Sequence, residues 1–288
     1  MKISFVLIVK NESSCLDRCL ESIKKADEII VVDTGSTDNT IEIAKKYTDK
    51  VFDDYKWQDS FADARNHALS KATGDWIFSI DADQELLNTI DEVRNVAEEA
   101  DKKGFKAVNV RLISGNNSHI FPLLFKRLPE VFWCGSAHNY LSVRGEIDSD
   151  LKIGYSYSKA HSLDPDRTLR ILLKEIKKDE SPRNMYYLAR EYWYRKDYIT
   201  AIYWWEKYVA HSSFLSEQAD AYLMLARCYW ALRQGEKARQ NCIKAININA
   251  NFKEALLFMA SISWEHNAKQ WRKMAETATN ERVLFIRN

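Results

Sequence analysis

The stretch Asp75-Trp76-Ile77-Phe78-Ser79-Ile80-Asp81-Ala82-Asp83 decides the fold of the amino-terminal half: an unbroken, mostly apolar run that stops abruptly at carboxylates. So short a run, bounded by polar residues, predicts a buried strand. The same form occurs twice upstream. Residues 3–9 (ISFVLIV) end at Lys10-Asn11-Glu12, and Glu28-Ile-Ile-Val-Val-Asp33 runs into Thr34-Gly35-Ser36-Thr37-Asp38. Between these runs the spacing becomes helical. Ser13-Ser14 is a candidate cap for a helix carrying Cys15, Cys19, Leu20 and Ile23 on one face, and further helices are expected over 40–47 and 61–72. Val51-Phe52 reads as a short strand. Strands alternating with helices predict a parallel sheet with right-handed crossovers, whose ligands bind beyond the carboxyl ends of the strands. Asn11, Asp33 and Asp81 each stand at such an end, which places one site there.

Downstream the text changes. Residues 107–113, 120–127 and 131–134 are short, strand-like and broken by Gly and Asn, as expected of a mixed β region completing the sheet. Leu163-Asp164-Pro165 closes this part. From Asp166 the sequence is helical and repeats itself: Tyr187-Leu-Ala-Arg-Glu-Tyr-Trp193 matches Met224-Leu-Ala-Arg-Cys-Tyr-Trp230 and, more weakly, Phe258-Met-Ala-Ser-Ile-Ser-Trp264. Ala201 and Ala238 keep the first offset in the helices that follow. This period resembles the tetratricopeptide repeat, whose units bury their apolar faces only by stacking. The expected division is an α/β domain over 1–165 and an all-α, tetratricopeptide-like domain over 166–288.

Composition narrows the class. With 46% hydrophobic and 29% charged residues the chain is globular and not disordered. No apolar stretch approaches the roughly 18 residues a membrane span needs, and residues 1–9 are too short for a signal peptide. The five cysteines are odd in number and lack zinc-finger spacing, so a cytoplasmic protein with buried thiols is expected. The net charge of +1 conceals an asymmetry: residues 1–160 carry 21 basic against 26 acidic side chains, and residues 161–288 carry 21 against 15. The acidic half suits a cation, the basic half an acidic partner, although surpluses this small also describe ordinary solvated surfaces.

Asp81-Ala82-Asp83 is the strongest chemical signal. A turn at the strand end lets both acids face one cation, and hard oxygen ligands suit Mg2+ or Mn2+ bridging the phosphates of a nucleotide. Taken alone, two such acids are as well explained by solvation. Four motifs in order change the weighing: Ile8-Val9-Lys10-Asn11-Glu12, Asp33 to Asp38, Phe61-Ala62-Asp63-Ala64-Arg65-Asn66 and Asp81-Ala82-Asp83. Together they resemble the family 2 glycosyltransferases of GT-A fold, and among these the bacterial branch fused to tetratricopeptide repeats, which includes peptide S-glycosyltransferases.

The resemblance implies roles. Val9, Asn11 and Glu12 would line the base and ribose pocket of a nucleotide-sugar donor, with Asp33 accepting from base or ribose donors. Arg65 would pair with phosphate or with the sugar-binding carboxylates; a cap or a buried pair is the alternative for Arg65 and Asn66. Asp81 and Ala82 would contact the donor. Asp81 and Asp83 would bind the metal, with His161 completing its coordination or serving as a hydrogen-bonded structural residue. Relatives carry a His-Glu pair after an aromatic-Gly segment. Here that segment is Phe132 to Asn139, and Asn139 replaces the Glu, an amide that cannot accept a proton. His138, Asp63 and Glu85 are the remaining catalytic candidates on the acceptor side. Lys126 and Arg127 would offset the leaving diphosphate's charge, or face solvent at a sheet margin.

The expected reaction is metal-dependent transfer from a donor such as a UDP-sugar, by direct displacement with inversion. The acceptor would be macromolecular and held by the repeats: peptide or protein first, then a modified phage-type DNA base or a glycan-lipid. A nucleotidyltransferase would need a phosphate loop that Lys10-Asn11-Glu12 does not provide. A repeat scaffold that binds donor without turnover is the alternative from another class.

Overall fold

The computed structural model describes residues 1–115, 117–156 and 164–278, and the chain divides into two compact units, Met1–Arg167 and Thr168–Asn288. In the first unit the elements run β1 (Ile3–Val9), α1 (Leu16–Ile23), β2 (Glu28–Asp33), α2 (Thr40–Ala44), β3 (Val51–Phe52), α3 (Phe61–Ser70) and β4 (Trp76–Ser79). They continue through β5 (Gln84–Leu86), α4 (Ile90–Lys102), β6 (Ala107–Ser114), β7 (Asn117–Lys126), β8 (Trp133–Cys134), β9 (Tyr140–Leu141) and β10 (Ile147–Tyr155).

Eight strands form one mixed sheet in the order β3-β2-β1-β4-β7-β6-β10-β5. β1 pairs in parallel with both β2 and β4, whereas β7 is antiparallel to β4 and β6. Successive crossovers therefore leave β1 toward β2 and β3 and return on its other side at β4. That reversal opens a crevice at the carboxyl ends of β1, β2 and β4. The strands that flank it are buried on both faces, and Phe5 stacks on Phe78 with ring centroids 4.8 Å apart.

The opposite end of the sheet is a closed polar clasp. Glu28, opposite Ser4 in register, is buried and accepts from the Ser4 hydroxyl, from Thr73 N at 2.8 Å and from Thr73 Oγ1 at 2.7 Å. It also pairs with Lys50 and, at 3.1 Å, with Lys2. Burial opposes its ionisation, but the bonds from Lys50, Ser4 and Thr73 outweigh that and hold the carboxyl far below its ordinary range. Gly74 is required beside it, because a Cβ there would lie 2.6 Å from Ser4 Oγ and 2.8 Å from Ser4 N.

Several local expectations are corrected. Neither Ser13 nor Ser14 caps α1. Cys15 holds the cap position without a side-chain cap bond, its thiol turned instead to Glu12 Oε2 at 3.2 Å, while the Ser13 main-chain amide donates to Asp38 at 3.2 Å. α2 ends three residues earlier than the spacing implied. β8 is not part of the main sheet but pairs with β9 in a two-stranded ribbon. β10 and β5 form the far edge.

The second unit is helical: α5 (Arg167–Ile176, which begins on the last residue of the first unit), α6 (Pro182–Tyr194), α7 (Tyr198–His211), α8 (Leu215–Ala231), α9 (Gly235–Ile248), α10 (Lys253–Ser261) and α11 (Glu265–Thr277). α6–α7, α8–α9 and α10–α11 are the repeat hairpins. The Leu-Ala pairs at 188–189 and 225–226 and Met259-Ala260 are all buried, and Ala201 and Ala238 are fully buried in the partner helices. Lys196 and Arg233 occupy matching turns with φ of 62° and 61°. The third copy is truncated: α10 stops at Ser261, leaving Trp264 86% exposed as the residue before α11. Between the first two hairpins, Tyr186 donates to buried Asp220, whose carboxyl burial raises to about 6 against the opposing Tyr186 bond and the Arg190 and Arg227 charges. Among the described residues no helix is long and apolar enough to cross a membrane.

Candidate active site

Three chain segments converge at the crevice. At the end of β1, the Val9 carbonyl accepts from Thr34 N at 2.9 Å and Thr34 Oγ1 at 3.1 Å, which locks β1 to the turn after β2. Asn11 adopts φ 56°, a left-handed backbone that Asn tolerates better than most residues. Its amide donates to Ser36 Oγ at 2.9 Å and its Oδ1 accepts from Thr37 N at 2.7 Å. The Glu12 amide donates to Thr40 Oγ1 at 2.8 Å. Asn11 and Glu12 thus build the crevice wall with their backbones as well as their side chains.

Asp33 is buried at the end of β2. Its Oδ2 accepts from Gly35 N and Ser36 N, both at 2.9 Å, whereas its buried Oδ1 has no hydrogen-bond partner. A buried carboxylate oxygen without a partner is costly unless something fills its place. It is an acceptor held ready for an N–H or O–H group.

The third segment is the acidic turn after β4. Gln84 ties it together, accepting from Asp81 N at 2.9 Å through Oε1 and donating its own amide to the Asp81 carbonyl at 3.0 Å. The Asp81 carboxylate receives Arg65 Nη2 at 2.6 Å, and Arg65 Nη1 reaches Ser79 Oγ at 3.2 Å. The guanidinium lies over the Trp133 ring, 5.2 Å from its centroid, and its buried Nε is unpartnered. Ala82 is buried. Asp83 is pushed up to about 7, first by burial and then by the negative charges of Asp81 and Glu12. The crevice therefore concentrates negative charge that the chain itself offsets only in part.

Residues 4–136 match the family described as glycosyl transferase family 2. This stretch is a family 2 glycosyltransferase domain. A TPR repeat-containing protein of Synechococcus elongatus is 37% identical over 133 residues, 45% of this chain and 33% of that protein. An uncharacterised glycosyltransferase of Rickettsia conorii is 35% identical over 130 residues, covering 43% and 44% of the two chains. The SPbeta prophage-derived glycosyltransferase SunS of Bacillus subtilis is 44% identical over 79 residues, 27% of this chain and 19% of SunS. The chain thus spans less than half the length of these relatives. Among solved structures, S. aureus TarS 1–349 in complex with UDP-GlcNAc aligns with a TM-score of 0.47 at 16% identity, covering 96% of this chain and 91% of that one.

Within the transferase domain, the other expected residues are placed unequally. α3 sends Arg65 to Asp81, but Asp63, two residues earlier and so on another face, accepts from the Tyr55 hydroxyl at 2.7 Å. Asp63 lines a separate open cleft with Asp54, Asn66 and His67, in which Asp54 already pairs with His67 and Lys71. Asn66 proves to be a clamp. Its amide donates to the Trp133 carbonyl at 2.9 Å and its Oδ1 accepts from Trp133 N at 2.8 Å, which fixes β8 to α3. His138 is exposed with φ 47°, and the neighbouring Asn139 buries an unpartnered Nδ2. Glu85 lies at the rim, 3.7 Å from Arg18 Nε.

Arg127 is not brought to this site. β7 runs antiparallel to β4 with Lys126 opposite Trp76, so Arg127 falls at the start of β4, the end away from Asp81. There its Nε donates to the Gly74 carbonyl at 2.7 Å, while Lys126 pairs with Asp101 at 2.6 Å. The expected diphosphate role for this pair fails because the strand's direction, invisible in the sequence, reverses which end they occupy. His161 lies outside the described residues. Arg18 and Ser156, which adjoin Asp83, carried no sequence signal at all.

Proposed function

We propose that the chain is a metal-dependent glycosyltransferase that moves a sugar from a nucleotide-sugar donor, a UDP-sugar first, to a macromolecular acceptor with inversion. The observation that carries this reading is the convergence of the Asp81, Asp83 and Glu12 charges at the switch point of a family 2 domain. Their hard oxygens fit Mn2+ or Mg2+, and a divalent cation would offset both the burial and the neighbouring negative charges that raise Asp83. Among the described residues no three His, Cys, Asp or Glu side chains form a ready metal site, so the rest of the ion's ligands would have to come from donor phosphates and water. Asp83 and Asp81 would hold it. When bound, the ion supplies charge neutralisation for the departing diphosphate.

The chain's own residues do the rest. Asp33 offers Oδ1 to an N–H or O–H of the base or ribose. Arg65 fixes the Asp81 carboxylate in one orientation, so that the acid need not reorganise as the donor arrives. Asn139 cannot take the acceptor's proton, which leaves His138 and the rim carboxylate Glu85 as the bases to test. The repeat unit, basic and rich in aromatic residues, would hold the acceptor: a peptide or protein first, ahead of a DNA base or a glycan-lipid. Asn139 also supports a second reading, a scaffold that binds donor without turnover.

Titration of the full chain with UDP-glucose and related donors, with and without Mn2+, tests both. Metal-dependent binding with slow donor hydrolysis, absent in Asp83→Ala, is expected. Binding without any hydrolysis or transfer favours the scaffold, and no nucleotide-sugar binding by folded protein overturns the donor site.

A further inference from the structure

Arg18 belongs to none of the motifs, yet it joins the acidic turn to β5 and to the residue after β10. From α1, its Nη2 donates to Ser156 Oγ at 2.6 Å, directly after β10, and to the Asp83 carbonyl at 3.4 Å. Its Nε faces Glu85 of β5 at 3.7 Å. The same Asp83 carbonyl accepts from Ser156 N at 3.1 Å and Ser156 Oγ at 3.5 Å. The next residue of α1, Cys19, directs its thiol at the Asp81 carbonyl at 3.4 Å. Consecutive residues of one helix therefore grip the two carbonyls on either side of Ala82.

Such a grip has a physical purpose. Carboxylates forced together repel, and a turn between two strands relieves that repulsion by opening, which would part Asp83 from Asp81. Donors on the main-chain oxygens hold the turn closed without touching the carboxylates, which stay available to a ligand. Arg18 suits this because its Nη2 alone reaches Ser156 and Asp83 together and leaves Nε of the same planar group for Glu85.

We propose that Arg18 is a positioning residue that fixes the Asp83 main chain against Ser156, so that the Asp83 carboxylate is presented beside Asp81 for a divalent cation. The inference rests on the metal role assigned to this turn under the proposed function. Arg18 touches neither donor nor metal; it acts through Asp83.

The test compares wild type, Arg18→Ala, Arg18→Lys and, as a control, Arg94→Ala on α4, which pairs with Asp91 of the same helix and with Asp27 just before β2. Mn2+ binding is read from the free-ion paramagnetic resonance signal, and main-chain closure from hydrogen exchange at Ser156 and Gln84. In Arg18→Ala, Mn2+ binds about fivefold to tenfold more weakly, roughly the loss of one or two charge-assisted hydrogen bonds, and exchange rises in both segments together. Turnover at saturating Mn2+ stays within about twofold of wild type, because the carboxylates themselves are intact. Arg18→Lys, which keeps the charge and loses the fork, recovers part of the Mn2+ affinity, and Arg94→Ala changes neither readout. Unchanged exchange at Ser156 and Gln84 in Arg18→Ala overturns the proposal, as does unchanged Mn2+ affinity. Should wild type itself bind no Mn2+, the metal reading of the site falls and the presenting role falls with it, whereas a wild type that binds Mn2+ beside an unaltered Arg18→Ala condemns this inference alone.

Discussion

At the amino-terminal edge of β1 and β2, Glu28 sits among two lysines, a serine and a threonine that together make its charge more comfortable than water would. At the carboxyl edge of β1 and β4, Asp83 is half-buried and faces two further carboxylates, with Arg18 offsetting them only in part. β1 runs between the two. One end is closed around Glu28, whose carboxylate finds its partners within the chain, whereas at the other Asp33 Oδ1 and Arg65 Nε are buried without a partner. The proposed function puts chemistry at the second end and leaves the first to stability, a separation the two carboxylates make measurable.

The largest effect is expected at the open end. Asp83→Asn keeps shape and removes charge, and turnover should fall about 100-fold or more if this carboxylate holds the cation. The fold should respond in the other direction. A carboxyl whose folded value is raised from 3.8 to about 7 costs stability once both states would ionise. Metal-free wild type should therefore weaken as pH climbs from near 4 through 7, and Asn should be spared. Urea unfolding of both proteins without metal, at pH 5 and pH 8, should show the variant gaining on wild type by about 1 kcal/mol, the figure discounted for the carboxylate's partial exposure. A gap that does not widen with pH would break the contrast between the two ends.

Glu28→Ala should show the reverse pairing of effects. Removing a buried, fully bonded carboxylate leaves Ser4 and Thr73 without their acceptor, at a cost of about 2–4 kcal/mol. Donor affinity per folded molecule should not change, because nothing at this end reaches the crevice. The pH dependence also inverts. A depressed carboxyl stabilises the fold above its unfolded value near 4.5, and that contribution fades as pH falls toward the lower folded value. Wild type should lose stability in acid more steeply than the variant, in denaturant melts between pH 5 and pH 2.

The sequence made one end of this comparison legible and hid the other. Apolar runs ending in acids located β1, β2 and β4, and the 37-residue offset located the helical hairpins, because in both cases burial writes a dense local pattern. β10 is faint in the sequence because one of its faces is exposed and polar residues at 148, 150 and 152 interrupt its apolar pattern. α4 carries a local signature, the capping box of Thr89 and Glu92. Arg18 and Ser156 meet Asp83 across 65 and 73 residues of chain, and no local pattern encodes such a meeting. Asp63 was drawn toward the site by its motif, but a helix turns about 100° per residue, so neighbours of Arg65 need not share its face.

Arg127 gives the smallest effect and the sharpest test of direction. By sequence it ends a strand beside another cation, which fits a diphosphate as readily as it fits solvent. Pairing of Lys126 with Trp76 assigns it to the Glu28 end of the sheet, where its Nε reaches the carbonyl of Gly74, the same glycine whose missing Cβ lets Ser4 approach. Arg127→Ala should therefore cost about 1 kcal/mol of stability through one charge-assisted hydrogen bond. Its kcat/KM should stay within about twofold of wild type, and its KM for donor should not move. A rise in donor KM of about tenfold with stability intact would place phosphate at the closed end, and the division of labour between the two ends of the sheet would fall with that result.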